Sequence, residues 1–240
     1  MRPTSRCLLA VLALAAVVGL AGCIGNAQAA DSARVAEGSA PTPSATTDAA
    51  ASTPPPPIVV TIGDSIMSGH GLDAAQAWPV LVSQERGVTI TNLGCSGAGF
   101  TTPGSCGKDF AGLIPQAVAA APTLVIIQSS DNDENATSSD IDDHTAQTVA
   151  AIHAALPHAR IVGLSTLWNQ PSAPPATIAS SSQSLQHAVQ EVGGVFVDIG
   201  QPLQGVGGML QDDQEHPTTD GQQTLASVIV SALHKAGIAL

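Results

Sequence analysis

One serine, one histidine and a few carboxylates and amides stand in short blocks whose residue types suit nucleophilic acyl transfer. The blocks are Gly63-Asp64-Ser65, Asn92 to Gly97, Asn132-Asp133 and Asp213 to Pro217. A serine hydroxyl attacks a carbonyl only when a base takes its proton. His216 is the candidate base, and Asp213, earlier on the same stretch, is a carboxylate able to hold the imidazole tautomer and stabilise imidazolium. Singly, each block has a plainer reading. Gly63-Asp64-Ser65 is a strand-to-helix turn, and His216 a surface-loop histidine. The combination, in this order and beside predicted strands, is what carries the chemistry.

Such chemistry needs a rigid frame. Five short runs rich in Val and Ile, at 58–62, 88–93, 123–128, 160–165 and 195–199, are apolar without strict alternation. That pattern predicts strands buried on both faces of a parallel sheet. Between them, Pro79 fits the first turn of a helix that stops at Gly87. Ser139 with Asp142 reads as the N-cap arrangement of a helix ending at Pro157. A third helix is expected over about 178–192, closed by Gly193-Gly194, and a last one from Thr218-Thr219 to Gly237. The alternation predicts an α/β three-layer α/β/α sandwich on a five-stranded parallel sheet. Ser65 then falls at the carboxyl end of the first strand, where open α/β sheets bind ligands.

The blocks together resemble the SGNH (GDSL) hydrolase superfamily over essentially all of residues 58–240. "IVVTIGDSIMSG" is similar to its first block, with Ser65 as nucleophile. "ITNLGCSGAG" is similar to the second and "LVIIQSSDNDEN" to the third. "DDQEHPTTDGQQ" is similar to the last, with Asp213 and His216. Trp78-Pro79 also looks like the thioesterase and lysophospholipase branch. The resemblance implies a flavodoxin-like fold and an oxyanion hole made by the amides of Ser65 and Gly97 and the side chain of Asn132. It implies hydrolysis of small carboxylic esters through an acyl-serine, with no cofactor. The alternatives are deacetylation or acyl transfer on a cell-envelope glycan, and a non-catalytic lipoprotein that keeps the fold to bind acylated ligands.

The third block departs from the family pattern Gly-x-Asn-Asp by placing Ser130 where the glycine stands. If that glycine serves a positive φ or a close approach, Ser130 narrows the geometry or shifts the loop. Asp131 is expected to add negative charge near the oxyanion. Asp131, Asp133, Asn135, Thr137, Ser139 and Asp142 also fall at the alternating oxygens of a calcium loop, though without its sixth-position glycine. The plainer reading is a solvated acidic loop capping the next helix, and no metal is assigned.

Of the remaining histidines, His70 either lines the mouth of the site or sits on a surface loop. Trp168 either lines an acyl pocket or packs. With no Tyr, three Phe and two Trp, there is little material for an aromatic sugar platform.

The start of the chain is an address. Arg2 and Arg6 precede an apolar run from Cys7 to Leu20, too short for a comfortable membrane span. Leu20-Ala21-Gly22-Cys23 looks like the lipobox of bacterial lipoproteins, which implies cleavage before Cys23, lipidation of its thiol and a membrane anchor. An ordinary signal cut near Ala27-Gln28-Ala29 is the other reading, and export follows from both. Residues 24–56, rich in Ala, Ser, Thr and Pro, cannot bury enough surface to offset their ordering entropy and are expected to be a disordered tether. Residues 57–240 are the hydrolase domain. Cys7 and Cys23 belong to the leader, which leaves Cys95 and Cys106 to pair as a disulfide in an exported protein. A formal charge of −12 with seven Lys and Arg in the whole chain leaves no basic patch for nucleic acid. A monomer is expected.

Overall fold

A computed structural model describes residues 55–240. The signal peptide, Cys23 and all but the end of the tether lie outside the described residues.

Five strands, β1 (Ile58–Gly63), β2 (Thr89–Gly94), β3 (Leu124–Gln128), β4 (Arg160–Leu164) and β5 (Val195–Val197), form one sheet in the order β2-β1-β3-β4-β5. Every pairing is parallel. The expected five-stranded α/β sandwich is therefore the fold. Side chains within each central strand divide between two cores. Val59, Leu124, Ile126, Val162 and Leu164 pack on one side with Trp78, Val82, Leu225, Ile229 and Leu233. Val60, Ile62, Val125, Ile127 and Ile161 pack on the other with Val149, Ile152, Leu185 and Val189. A strand covered on both faces has no use for a polar alternate position, which is why these runs read as continuously apolar.

The helices are α1 (Ser65–Ser68), α2 (Trp78–Arg86), α3 (Ile114–Ala119), α4 (Ser138–Ala155), α5 (Ala176–Glu191) and α6 (Thr219–Lys235). Pro79 lies in the first turn of α2, and Gly87 ends it in a left-handed conformation. α6 begins after Thr218, whose hydroxyl accepts the Gly221 N–H. The start of α4 corrects the sequence reading. Its N-cap is Thr137, whose side chain accepts the N–H of Asp140. Asp142 instead accepts a hydrogen bond from Ser184 of α5, so a tertiary contact claims the residue that looked like part of the cap.

The strand order places the site. From β1 the chain runs to β2 on one side, then crosses to β3 on the other. A crevice opens between the carboxyl ends of β1 and β3, at the point where the winding reverses. The loops carrying Ser65 and Asn132 leave from those two ends.

Candidate active site

Ser65 is the first residue of α1, directly after β1, and is 6% exposed. The turn is fixed by Asp64, whose Oδ1 accepts the Ile66 N–H at 2.9 Å and caps the short helix. Gly69 closes it in a left-handed conformation. Two amides tie this turn to its surroundings. Asn92 of β2 accepts the Gly94 N–H at 2.9 Å and donates to the Met67 carbonyl at 2.9 Å. Buried Gln222 of α6 donates to the Ile66 carbonyl at 2.8 Å and accepts the Trp78 N–H at 2.9 Å. Both residues lie in the motif blocks, yet sequence reasoning gave neither a task.

Asp213 and His216 come together as expected. The imidazole Nδ1 is 2.8 Å from Asp213 Oδ2, while Oδ1 accepts the backbone N–H groups of Glu215 and His216, each at 3.0 Å. The turn that allows this places Gln214 at φ 60°, the left-handed region that non-glycine residues rarely adopt. Burial would raise the Asp213 carboxyl, but the two backbone N–H groups and the imidazole outweigh it and hold it at about 2. An acceptor-only carboxylate on Nδ1 leaves Nε2 as the free ring nitrogen.

The Ser65 Oγ–His216 Nε2 hydrogen bond is not formed in this structure, and such bonds often tighten only with substrate bound. The two residues are joined through His70. Its backbone N–H donates to the Ser65 carbonyl at 3.0 Å, and its ring lies against His216 with centroids 4.4 Å apart. His70 Nδ1 is also 3.4 Å from Ser96 Oγ. His70 is thus an exposed turn residue, as the surface-loop reading has it, and its ring packs on the candidate base.

Gly97 has φ 80°, so the residue at this turn must tolerate the left-handed region. Its loop is held at two points. Cys95 and Cys106 form the expected disulfide, with Cα atoms 5.9 Å apart. Asp133 accepts from the Phe100 N–H at 2.7 Å, the Thr101 N–H at 3.0 Å, and the Thr101 and Thr102 hydroxyls at 2.6 and 3.1 Å. A Cβ on Gly99 would land on that carboxylate. Asp133 is thus the clasp between the second and third blocks, a task that sequence reasoning missed because its partners lie far back in the chain.

Asn132 sits in a 3-10 turn, Asp131–Asp133, whose N-cap is Ser130. Both amide hydrogens are engaged at rest, one on the Ala98 carbonyl at 3.1 Å and one on Ser130 Oγ at 2.8 Å. Ser130 has φ −115° and ψ 150°, ordinary extended backbone that needs no glycine. The positive φ under which Ser130 would shift the loop is therefore not required here. The expectation of an added charge from Asp131 is corrected. Burial, and next the negative charges of Asp64 and Glu215, push its carboxyl up to about 8. It is therefore predominantly protonated at neutral pH. Burial also pushes Asp64 up, against the hydrogen bonds from Ser130 and Ile66.

Three residues of the calcium-like alternation serve different partners: Asp133 clasps Phe100 to Thr102, Thr137 caps α4 and Asp142 meets α5. Trp168 is buried, and its Nε1 donates to the Ser172 carbonyl at 2.8 Å, which favours packing over an acyl pocket. A groove of about 630 Å³ along the C-terminal half of α6 holds none of the site residues. Beside the His216 loop lies a smaller cleft of about 400 Å³, lined by Asn169, Gln204, the loop from Gly205 to Gly208, Leu210 and Gln214.

Comparison with known proteins bears on the family and the fold. Residues 61–224 match the GDSL-like Lipase/Acylhydrolase family. A search of curated proteins returns no match. Among solved structures, that of TesA is 22% identical with a TM-score of 0.61, covering 74% of this chain and 98% of its own. A psychrotrophic esterase EstA from Pseudoalteromonas sp., inhibited by monoethylphosphonate, is 16% identical with a TM-score of 0.60, covering 75% and 97%. A family two carbohydrate esterase from Clostridium thermocellum in complex with cellohexaose is 16% identical with a TM-score of 0.60, covering 77% and 66%. At these identities the likeness is one of fold.

Proposed function

Because the chain belongs to the GDSL-like lipase/acylhydrolase family, and so is a hydrolase of the esterase and lipase type, we propose that it cleaves carboxylic esters through an acyl-serine formed on Ser65. The observation that carries this reading is the Asp213–His216 pair at 2.8 Å, packed through His70 against the turn that presents Ser65.

Ser65 Oγ attacks the ester carbonyl carbon as His216 Nε2 takes its proton. The carbonyl oxygen becomes an oxyanion, bound by the amides of Ser65 and Gly97 and by Asn132, whose hydrogen now on Ala98 turns or is shared. The bond to the leaving alcohol breaks as imidazolium returns the proton to its oxygen. Water, deprotonated by His216, attacks the acyl-serine carbonyl, and the resulting tetrahedral intermediate collapses by breaking the bond to Ser65 Oγ, which regains its proton from the imidazolium as the acid leaves. Asp213, ionised throughout the working pH range, holds the tautomer and stabilises the imidazolium. With its carboxyl pushed up to about 8, Asp131 carries little charge at neutral pH to oppose the oxyanion.

In this proposal the enzyme is an exported monomer. A lipid on Cys23 holds it at the outer face of the cell membrane, and residues 24–56 are the spacer. A second reading, removal of acyl groups from a cell-envelope glycan, is favoured by the cleft beside the His216 loop, where Asn169, Gln204 and Gln214 offer amides to a polar alcohol or sugar. Labelling with a fluorophosphonate probe, followed by turnover on esters of graded acyl length with acetylated sugars alongside, tests both. Ser65→Ala is expected to abolish labelling and nearly all turnover. Wild-type turnover in that variant defeats the assignment.

A further inference from the structure

Ser130 stands where the family pattern has glycine, and its hydroxyl has no part in the steps above. It is 1% exposed, and a buried hydroxyl is retained at a cost unless it is hydrogen-bonded. Its oxygen makes three bonds. It donates to Asp64 Oδ2 at 2.7 Å, and it accepts the Asn132 backbone N–H at 3.1 Å and Asn132 Nδ2 at 2.8 Å. Asp64 Oδ1 meanwhile holds the Ile66 N–H. One oxygen atom therefore joins the turn that presents Ser65 to the turn that carries Asn132.

The direction of these bonds follows from counting. A hydroxyl has one hydrogen and two lone pairs. The backbone N–H of Asn132 can only donate, so it occupies one lone pair. The hydrogen goes to Asp64. A single lone pair remains, facing the Asn132 carboxamide, and only the NH2 end of that carboxamide can satisfy it. The Oδ1 end would bring two acceptors together. A glycine here would supply no such selection, and would leave Asp64 Oδ2, the Asn132 backbone N–H and one Asn132 side-chain N–H without this partner.

We propose that Ser130 is a positioning residue: its hydroxyl, anchored on Asp64, fixes which edge of the Asn132 carboxamide is presented to the reacting carbonyl and couples that donor to the Ser65 turn. The proposal rests on the reading of Asn132 as an oxyanion donor. Its effect is greatest in the transition state, when negative charge develops on the oxygen, so it acts on kcat rather than on substrate binding.

The test is steady-state kinetics on a small ester with wild type, Ser130→Ala, Asn132→Ala and the double variant, each assayed well below its own melting transition. Ser130→Ala is expected to lower kcat about 10- to 100-fold, less than full loss of an oxyanion donor, with KM within about twofold. In the Asn132→Ala background the same change should lower kcat no further, because its target is gone. A merely structural role would give losses that multiply. Ser130→Thr and Ser130→Val are near-isosteric and differ in the hydroxyl, and the extended backbone here suits a β-branched residue. Threonine should restore most of kcat and valine should not, which carries the test if the alanine variant does not fold. Wild-type kcat in Ser130→Ala, multiplying losses in the double variant, or equal activity of the threonine and valine variants overturns the proposal. An inactive wild type, or an active Ser65→Ala, overturns the esterase reading instead.

Discussion

Removing the Cys95–Cys106 bridge is expected to separate two effects, one on the unfolded chain and one on the oxyanion hole. The cysteines are 11 apart in sequence, and the chain-entropy model gives about 3 kcal/mol for a loop of that length at 25 °C. Cys95 is buried beside Val60, Ile62 and Phe100, so replacement by alanine is cleaner than serine, which would bury an unpartnered hydroxyl. The Cys95→Ala/Cys106→Ala protein should therefore lose roughly 3 kcal/mol in urea titrations. The loop will not collapse. The Ser105 N–H still donates to the Ser96 carbonyl at 2.7 Å, and Asp133 still clasps Phe100, Thr101 and Thr102. Gly97 lies between these anchors, so the expected fall in kcat is about 3- to 10-fold, well short of the 100- to 1,000-fold typical of a deleted oxyanion donor. KM should hold. Unchanged stability, or free thiols at both positions in the native protein, refutes the reasoning. A stability loss with full kcat refutes the coupling to Gly97.

Asp213→Asn should keep the fold, because an amide oxygen can still accept the Glu215 and His216 N–H groups, yet lower kcat on the order of 10,000-fold by favouring the wrong imidazole tautomer. Steady-state kinetics beside circular dichroism checks it, and activity within tenfold of wild type contradicts it. In wild type, Asp213, held at about 2, should stay ionised on acidification to mildly acid pH. A depressed carboxyl contributes stability above its unfolded value of 3.8 and loses it only as pH falls through about 2, so a pH-rate profile measured above pH 4 should carry no Asp213 step. Asp131 has the opposite sign. With its carboxyl raised from 3.8 to about 8, the unfolded chain releases the proton first, so the native state is fully favoured below about pH 4 and loses stability as pH rises through 8. Asp131→Asn should remove a few kcal/mol of that decline, and parallel urea midpoints for both proteins between pH 4.5 and 8 would contradict it.

Much of the frame was legible because it rests on local or one-dimensional signals. Five Val- and Ile-rich runs gave the strands, since a strand covered on both faces must be apolar throughout. Pro79 and Gly87 bracketed α2 because each restricts or frees φ at its own residue. The cap of α4 was misread for a matching reason. The stretch from Thr137 to Asp142 offers several hydroxyls and carboxylates able to cap, and what removes Asp142 from the choice is Ser184, on another helix.

The residues proposed to react were legible as residue types: Ser65, His216 and Asp213 carry their chemistry in their side chains, and the Asp213–His216 spacing is short enough for one turn to bring them together. The sequence by itself therefore determined the kind of fold and the kind of reaction. Only the tertiary structure decided that His70 packs on His216, that Asp133 clasps the Gly97 loop, that burial pushes the Asp131 carboxyl up and that Ser130 links Asp64 to Asn132. Each depends on burial or on a partner distant in the chain. Desolvation and hydrogen-bond direction are set by what surrounds an atom in space, which neighbouring residues in the chain do not specify.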